Sequence, residues 1–542
     1  MRRFISFILF LWAPLCLATT IAIIDTGFDL DHDFLRPKIL KQETDEEAIN
    51  PSLKEFSDWQ FHDNSHLKKS VIQDSTLLQE VLLYRTLRAK GHREGLSLSE
   101  FQWFKKRSAN SNFMNQVKNF KKHSHGTFVA GIALREGENI NIFPIRGLHI
   151  PIPVVGVDEK SEEQAPLKSR TPEEKFKEEI RNSQDRVIRK FSKICRYLSV
   201  NGINIVNASY GITYKNTASK LRERYKELTT KEISELRLQE EVKNYFNNLF
   251  GRTAKVIRKY PRMLFVFSAG NSGLDNDLYP HYPSKIKLPN TLSVGAMNGD
   301  YLASFSNFGK IHVDVGAPGV AILSLLPKVY SDSGQDIYSP SSGTSMAAPY
   351  ISNLAAQVLN MNPKLTPQDI KKIILETGDE KEHLKSILVS GAIANNQKAL
   401  KAALLTRDME IDASIALASS GLIPMEDSVS MGQPPAVGAE DLKNKVMNSI
   451  PRDISEQEID EIQSPTSEES STLPSTATNR LDSLVPPSSI PEAHFKKSSD
   501  LAPSSQSEAQ SQIPSEEQKP SSSPELPPLP QNPSSETLPS SP

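Results

Sequence analysis

The sequence is poor in cysteine: Cys16 and Cys195 are the only two in 542 residues. Cys16 lies in the leading apolar stretch, so a processed chain keeps one thiol and can form no intramolecular disulfide. Cys195 falls in a helical pattern with Ile194 and Leu198 and reads as a core residue rather than a nucleophile. An excess of one charge is also missing. Lys and Arg total 63 against 65 Asp and Glu, a formal net charge of -2, which argues against an electrostatically driven nucleic-acid partner. No apolar run is long enough for a comfortable membrane span of about 20 residues. Residues 4–17 come nearest, broken by Ser6 and Pro14. Behind Arg2 and Arg3, and ahead of small residues around Ala18, they read as a signal peptide over 1–18, removed after Ala18. The expected location is then secreted or periplasmic, with no stable membrane insertion after cleavage. An uncleaved anchor is the alternative; a lipid anchor at Cys16 is disfavoured by Leu15, where such sites carry a small residue. Metal-ligand spacing is absent as well: His62, His66 and His92 cluster neither with each other nor with cysteine and are assigned to the surface, so no metal and no cofactor is expected.

What is present is a rhythm of short apolar runs and longer helical patterns, from the signal to about residue 406. Residues 21–24, 140–145, 203–207, 263–268 and 291–294 are continuously apolar, as strands buried on both faces are. Residues 173–200 and 346–360 carry helix-spaced apolar positions. Strand, helix, strand repeated in this way implies an α/β fold: a doubly wound, mostly parallel sheet with helices on both faces. Two charged, helix-prone insertions interrupt it, at about 36–122 and 214–256. Leu77, Leu78, Val81, Leu82 and Leu87 form a stripe in the first; Tyr225, Leu228, Ile233, Leu236 and Leu238 mark the second. Such amphipathic helices dock on a core; flanking the substrate cleft is the sharper alternative. Residues 407–424 are expected to be a linker. From 425 to 542 Ser, Pro and Glu dominate, and a disordered tail is expected because too few apolar residues remain to offset the entropy of ordering.

Three segments carry chemistry. In Ile23-Ile24-Asp25-Thr26-Gly27 a buried strand ends in a carboxylate, at the strand end where ligands of open α/β sheets bind. In His123-Ser124-His125-Gly126-Thr127, His125 is expected to open a helix and present its ring to a cleft, where imidazole is suited to accept and return a proton. His123 is expected to be exposed and without a role. In Ser342-Gly343-Thr344-Ser345-Met346-Ala347-Ala348-Pro349, a hydroxyl sits at a helix N-terminus beside unpaired amides, a setting that favours a nucleophile generating an oxyanion.

Taken in the order Asp, His, Ser, these segments resemble the subtilisin family of serine proteases. The resemblance covers about residues 19–406 outside the two insertions. It implies a serine endopeptidase that hydrolyses extended protein or peptide substrates through an acyl-enzyme, with Asp25, His125 and Ser345 as the triad. It further implies that Asn271, in Ser268-Ala269-Gly270-Asn271-Ser272-Gly273, donates to the oxyanion, and that Ser209 and Gly211 pair backbone to backbone with substrate. The segments 304–309 and 316–319 resemble family stretches of structural character. A monomer is expected.

Two departures from the family stand out. No prosegment fits between the predicted cut and the strand at Ile21. Phe34 stands where a calcium-ligating carboxylate is usual, and residues 136–141 leave no room for the usual calcium loop, so Asp31 and Asp33 read as solvated charges. A catalytically dead scaffold with the same fold is the competing reading; an acid-active relative using carboxylates without histidine is disfavoured by His125-Gly126-Thr127.

Overall fold

The architecture follows from how β-branched and aromatic runs alternate with capped amphipathic helices in a computed structural model that describes residues 18–40, 69–147, 171–331 and 337–420. The expected signal segment up to residue 17, His62, His66 and the tail from 425 lie outside the described residues. Strand β1 (Thr19–Asp25) is followed by helices α1 (Ser75–Arg93), α2 (Leu98–Ser108) and α3 (Ser111–Ala133), then by β2 (Ile140–Arg146) and α4 (Pro172–Val200). Next come β3 (Ile205–Ala208), β4 (Ile212–Thr213), α5 (Tyr214–Thr229) and α6 (Glu235–Ile257). Strands β5 (Leu264–Ser268), β6 (His281–Tyr282), β7 (Thr291–Asn298), β8 (Tyr301–Leu302) and β9 (Val315–Pro318) lead to a hairpin of β10 (Ile322–Leu326) and β11 (Ile337–Ser341). The chain then forms α7 (Thr344–Met361), α8 (Pro367–Glu376), β12 (Asp379–Glu380), β13 (Ala392–Ile393), α9 (Asn396–Leu405) and α10 (Ile411–Ser419).

Among the described residues nine strands make one sheet in the order β12-β13-β9-β7-β5-β3-β1-β2, with β8 paired to β7. Every pairing from β13 to β2 is parallel; β12 and β8 add antiparallel edges. The strand period of two sorts side chains to opposite faces. Ile21, Ile23, Ile205, Leu264 and Val266 join a core with α7, α8 and α9. Ala22, Ile24, Val206, Phe265 and Phe267 face α4 and α6 instead. The doubly wound reading holds. After β1 the chain adds β2 on one side and β3 on the other, so the strand order reverses beside β1. That switch point is where a crevice opens at the carboxyl ends of the strands.

The insertions become helices with their own apolar faces. Leu78, Val81, Leu82 and Leu87 of α1 pack with Phe104, Phe113, Phe120, Phe128, Tyr330 and Met346 in a third core. In the second insertion Tyr225, Ile233 and Leu238 are buried, but Leu236 is exposed. The inward face of α6 is set by Leu238, Val242, Tyr245 and Leu249, and Leu236 lies about 200° around the helix from Leu238. Residues 407–420, expected as the first part of a linker, instead hold α10, whose Ile415 and Ala418 are buried in the main core. Cys195 is fully buried in α4, and burial raises its thiol pKa, as suits a core residue. No helix among the described residues is long and apolar enough to cross a membrane.

Candidate active site

Asp25 is the last residue of β1 and is fully buried. Its Oδ1 accepts the Thr26 amide at 2.7 Å and lies 2.7 Å from His125 Nδ1. A carboxylate held on Nδ1 fixes the ring so that Nε2 faces outward as a proton acceptor. His125 was expected to open its helix; instead it lies in the fourth turn of α3. Residues 111–124 are helix-competent and Asn110 caps them by accepting the Phe113 amide, so the helix begins upstream and runs through the motif as one rod. Gly126 makes the approach of α3 to the β1 turn possible. A Cβ there would collide with the Gly27 carbonyl. His123, expected to be exposed, is buried, with the Tyr330 hydroxyl 2.7 Å from its Nδ1. The reason is again the longer helix, which turns residue 123 toward the third core. His92 is half-buried and packs edge-on against Phe305, 5.0 Å between centroids.

Ser345 occupies the first turn of α7, whose amides have no intrahelical acceptor. It exchanges hydrogen bonds with Ser209: Ser345 Oγ donates to the Ser209 carbonyl at 3.1 Å, and Ser209 Oγ donates to the Ser345 carbonyl at 3.1 Å. The structure thus joins Asp25 to His125, and Ser345 to Ser209, while the serine hydroxyl is turned toward Ser209 rather than His125. Both pairs stand at one crevice, because α3 and α7 pack together and α7 lies across β1 and β3.

Asn271 follows β5 by three residues. Its Oδ1 accepts the Thr344 amide at 2.8 Å and the Thr344 hydroxyl at 3.1 Å. With the oxygen committed, the side-chain NH2 is left to donate elsewhere, next to Ser345. The loop is braced by Asn307, whose Oδ1 accepts the Ser272 and Leu274 amides at 2.9 and 3.2 Å. That gives the 304–309 segment its structural part. Gly211 extends beyond β3 toward β4. Thr344 was not singled out from sequence, although its hydroxyl lies inside the serine motif and also accepts the Gly270 amide at 3.1 Å. His281 was missed too; it carries no local motif, and its burial is set by strands distant in sequence.

Asp33 pairs with Lys328 at 2.8 Å, which holds its carboxyl below the usual range, and Asp31 is exposed. No group of three or more His, Cys, Asp or Glu side chains able to hold a metal occurs among the described residues.

Comparison with known proteins decides the family. The model described as "Subtilase family" matches residues 18–399. The chain belongs to the subtilase family. This subtilase is 35% identical to serine protease AprX of Bacillus subtilis (strain 168) over 149 residues, 23% of this chain and 33% of that protein. It is 39% identical to the cell wall-associated protease of the same organism over 116 residues, 21% of this chain and 12% of that one. The matched stretches span about a third or less of these relatives. Among solved structures, a lanthipeptide protease aligns over 71% of this subtilase and 87% of its own chain, with 17% identity and a TM-score of 0.38.

Proposed function

We propose that this subtilase is a serine endopeptidase, secreted or periplasmic, that cleaves extended protein or peptide chains with Asp25, His125 and Ser345. The observation that carries the reading is the buried Asp25–His125 contact at 2.7 Å, set at the same crevice as a serine in the first turn of a helix. Export rests on the leading segment 1–18 of the sequence.

The chemistry follows from these positions. Substrate laid along Ser209 and Gly211 adds backbone hydrogen bonds as an extra strand would, and takes over the Ser209 carbonyl that holds the Ser345 hydroxyl. Released, Ser345 Oγ turns to His125 Nε2, gives up its proton and attacks the scissile carbonyl carbon. Asp25 stabilises the imidazolium and keeps the tautomer, the oxygen that meets His125 being held in place by the Thr26 amide as well. The tetrahedral oxyanion is met by the Asn271 side-chain NH2 and the Ser345 amide, preorganised because Thr344 fixes the asparagine. His125 then protonates the leaving amine, and water enters by the same path in reverse to release the acyl group.

The test is hydrolysis of unfolded casein and of a quenched fluorescent peptide. Ser345→Ala and His125→Ala are expected to lower kcat/KM by at least about 10⁴-fold with an unchanged fold, and Asn271→Ala by about 10²–10³. Wild-type rates in Ser345→Ala would overturn the proposal.

A further inference from the structure

The segments after β3 and β5 run side by side, since these strands pair in parallel with Ala208 opposite Phe267. Each carries a glycine, Gly211 and Gly270, and two missing side chains on facing segments leave a slot between them. His281 fills that slot. A Cβ at Gly211 would overlap Cε1 and Nε2 of the ring, and one at Gly270 would stand 2.9 Å from Cδ2 and Nε2. The two glycines therefore receive the same edge of one imidazole.

The ring is fixed from several sides. It is 4% exposed. Its Nδ1 lies 2.8 Å from Ser284 Oγ, which in turn accepts from Asn276 Nδ2 at 3.3 Å. Asn276 also donates to the Ala269 carbonyl at 2.9 Å, and its Oδ1 accepts Asn307 Nδ2 at 2.9 Å. The same asparagine network thus holds both the imidazole and the loop that carries Asn271. From the other side, β6 pairs with β4, placing Thr213 opposite His281. Burial pushes the imidazole pKa down to about 4, so the ring is neutral near pH 7.

We propose that His281 limits the side chain of the residue whose carbonyl Ser345 attacks, restricting it to glycine, alanine or another of that size. This rests on the catalytic reading of the crevice and adds its substrate class. A peptide paired with 209–211, its reacting carbonyl at Ser345 and its oxyanion at Asn271, has one side chain directed between the two glycine segments. There a methyl group meets the edge of the imidazole. A benzyl or isobutyl group would have to expel a ring packed against two stretches of backbone and tied through Nδ1, a rearrangement that well-packed interiors resist.

The test uses the full chain and quenched peptides identical except for Gly, Ala, Leu or Phe at that residue. The wild type is expected to cleave the Ala peptide about a hundredfold faster, in kcat/KM, than the Phe peptide. In His281→Gly the ratio should fall at least tenfold; His281→Ala, checked by thermal melting, serves if the glycine variant does not fold. Equal or faster wild-type cleavage of the Phe or Leu peptide overturns the proposal whatever the variants do, and so does an unchanged ratio in a folded variant. Failure of the catalytic reading looks different: no peptide is cleaved and no active-site phosphonylating reagent reacts. Binding of the same peptides to Ser345→Ala then decides, with tighter Ala than Phe binding supporting the slot and the reverse overturning it.

Discussion

The two helical insertions attach to the sheet in different ways. The first ends inside the helix that carries the proposed general base: α3 starts in the insertion at Ser111 and continues without a break to His125 and Ala133. Its core contains Phe128, three residues past His125, and Met346, next to Ser345. The second insertion begins just beyond Gly211 and joins the core on the opposite face of the sheet, where α6 also meets β6 through Thr253 and Tyr282. Helices α5 and α6 pack on α4, held by Tyr245 and Phe246 inside and by ion pairs outside, such as Arg224 with Glu179 at 2.6 Å and Arg237 with Glu173 at 2.6 Å. A shared amphipathic pattern therefore serves two ends. One insertion is mechanically continuous with the proposed general base; the other is a buttress on the far face.

Breaking that contrast starts with Phe120, fully buried one helical turn and a half before His125 and 4.6 Å from the Tyr330 ring. Phe120→Ala is expected to cost about 3–5 kcal/mol in denaturant unfolding and, because it loosens the rod that carries His125, to lower kcat by about tenfold or more at temperatures where the protein stays folded. Phe246→Ala, equally buried in the second insertion, should cost a similar about 3–5 kcal/mol while leaving kcat within about twofold. Equal losses of kcat in the two variants would erase the distinction. The smallest effect is expected at the surface of the second insertion. Arg237 and the Tyr225 hydroxyl, hydrogen-bonded to Glu173, hold its carboxyl at about 2, against an ordinary 4.5. Its contribution is present above the unfolded pKa and is lost as pH falls through that interval. Exposure keeps it below about 1 kcal/mol, so Glu173→Gln should shift the melting temperature slightly at pH 7 and by only a small fraction of that at pH 2.

The sheet was legible because buried parallel strands are continuous apolar runs whose identity depends on local composition. Every expected strand was found, with ends shifted by a few residues; Thr291–Asn298 is the largest extension. The three motifs were legible because each needs particular side chains within a few residues. Other features depend on distant partners. That His125 lies within a helix follows from the cap at Asn110, fifteen residues upstream, and the burial of His123 follows from Tyr330. Residues 407–420 looked like a linker because α10 is a short, weakly patterned segment whose Ile415 and Ala418 matter only beside α8 and α9. His281 shows no local pattern at all; its place depends on two glycines, one 70 and one 11 residues earlier.

The central claim, that three residues from distant parts of the chain act as one nucleophilic unit, is tested most directly by reacting the folded protein with a fluorophosphonate and locating the adduct by peptide mass spectrometry. The account predicts a single adduct on residue 345, slowed by at least about a hundredfold in His125→Ala and absent in Ser345→Ala. An adduct on another residue, or equal reaction of the wild type and Ser345→Ala, would contradict it.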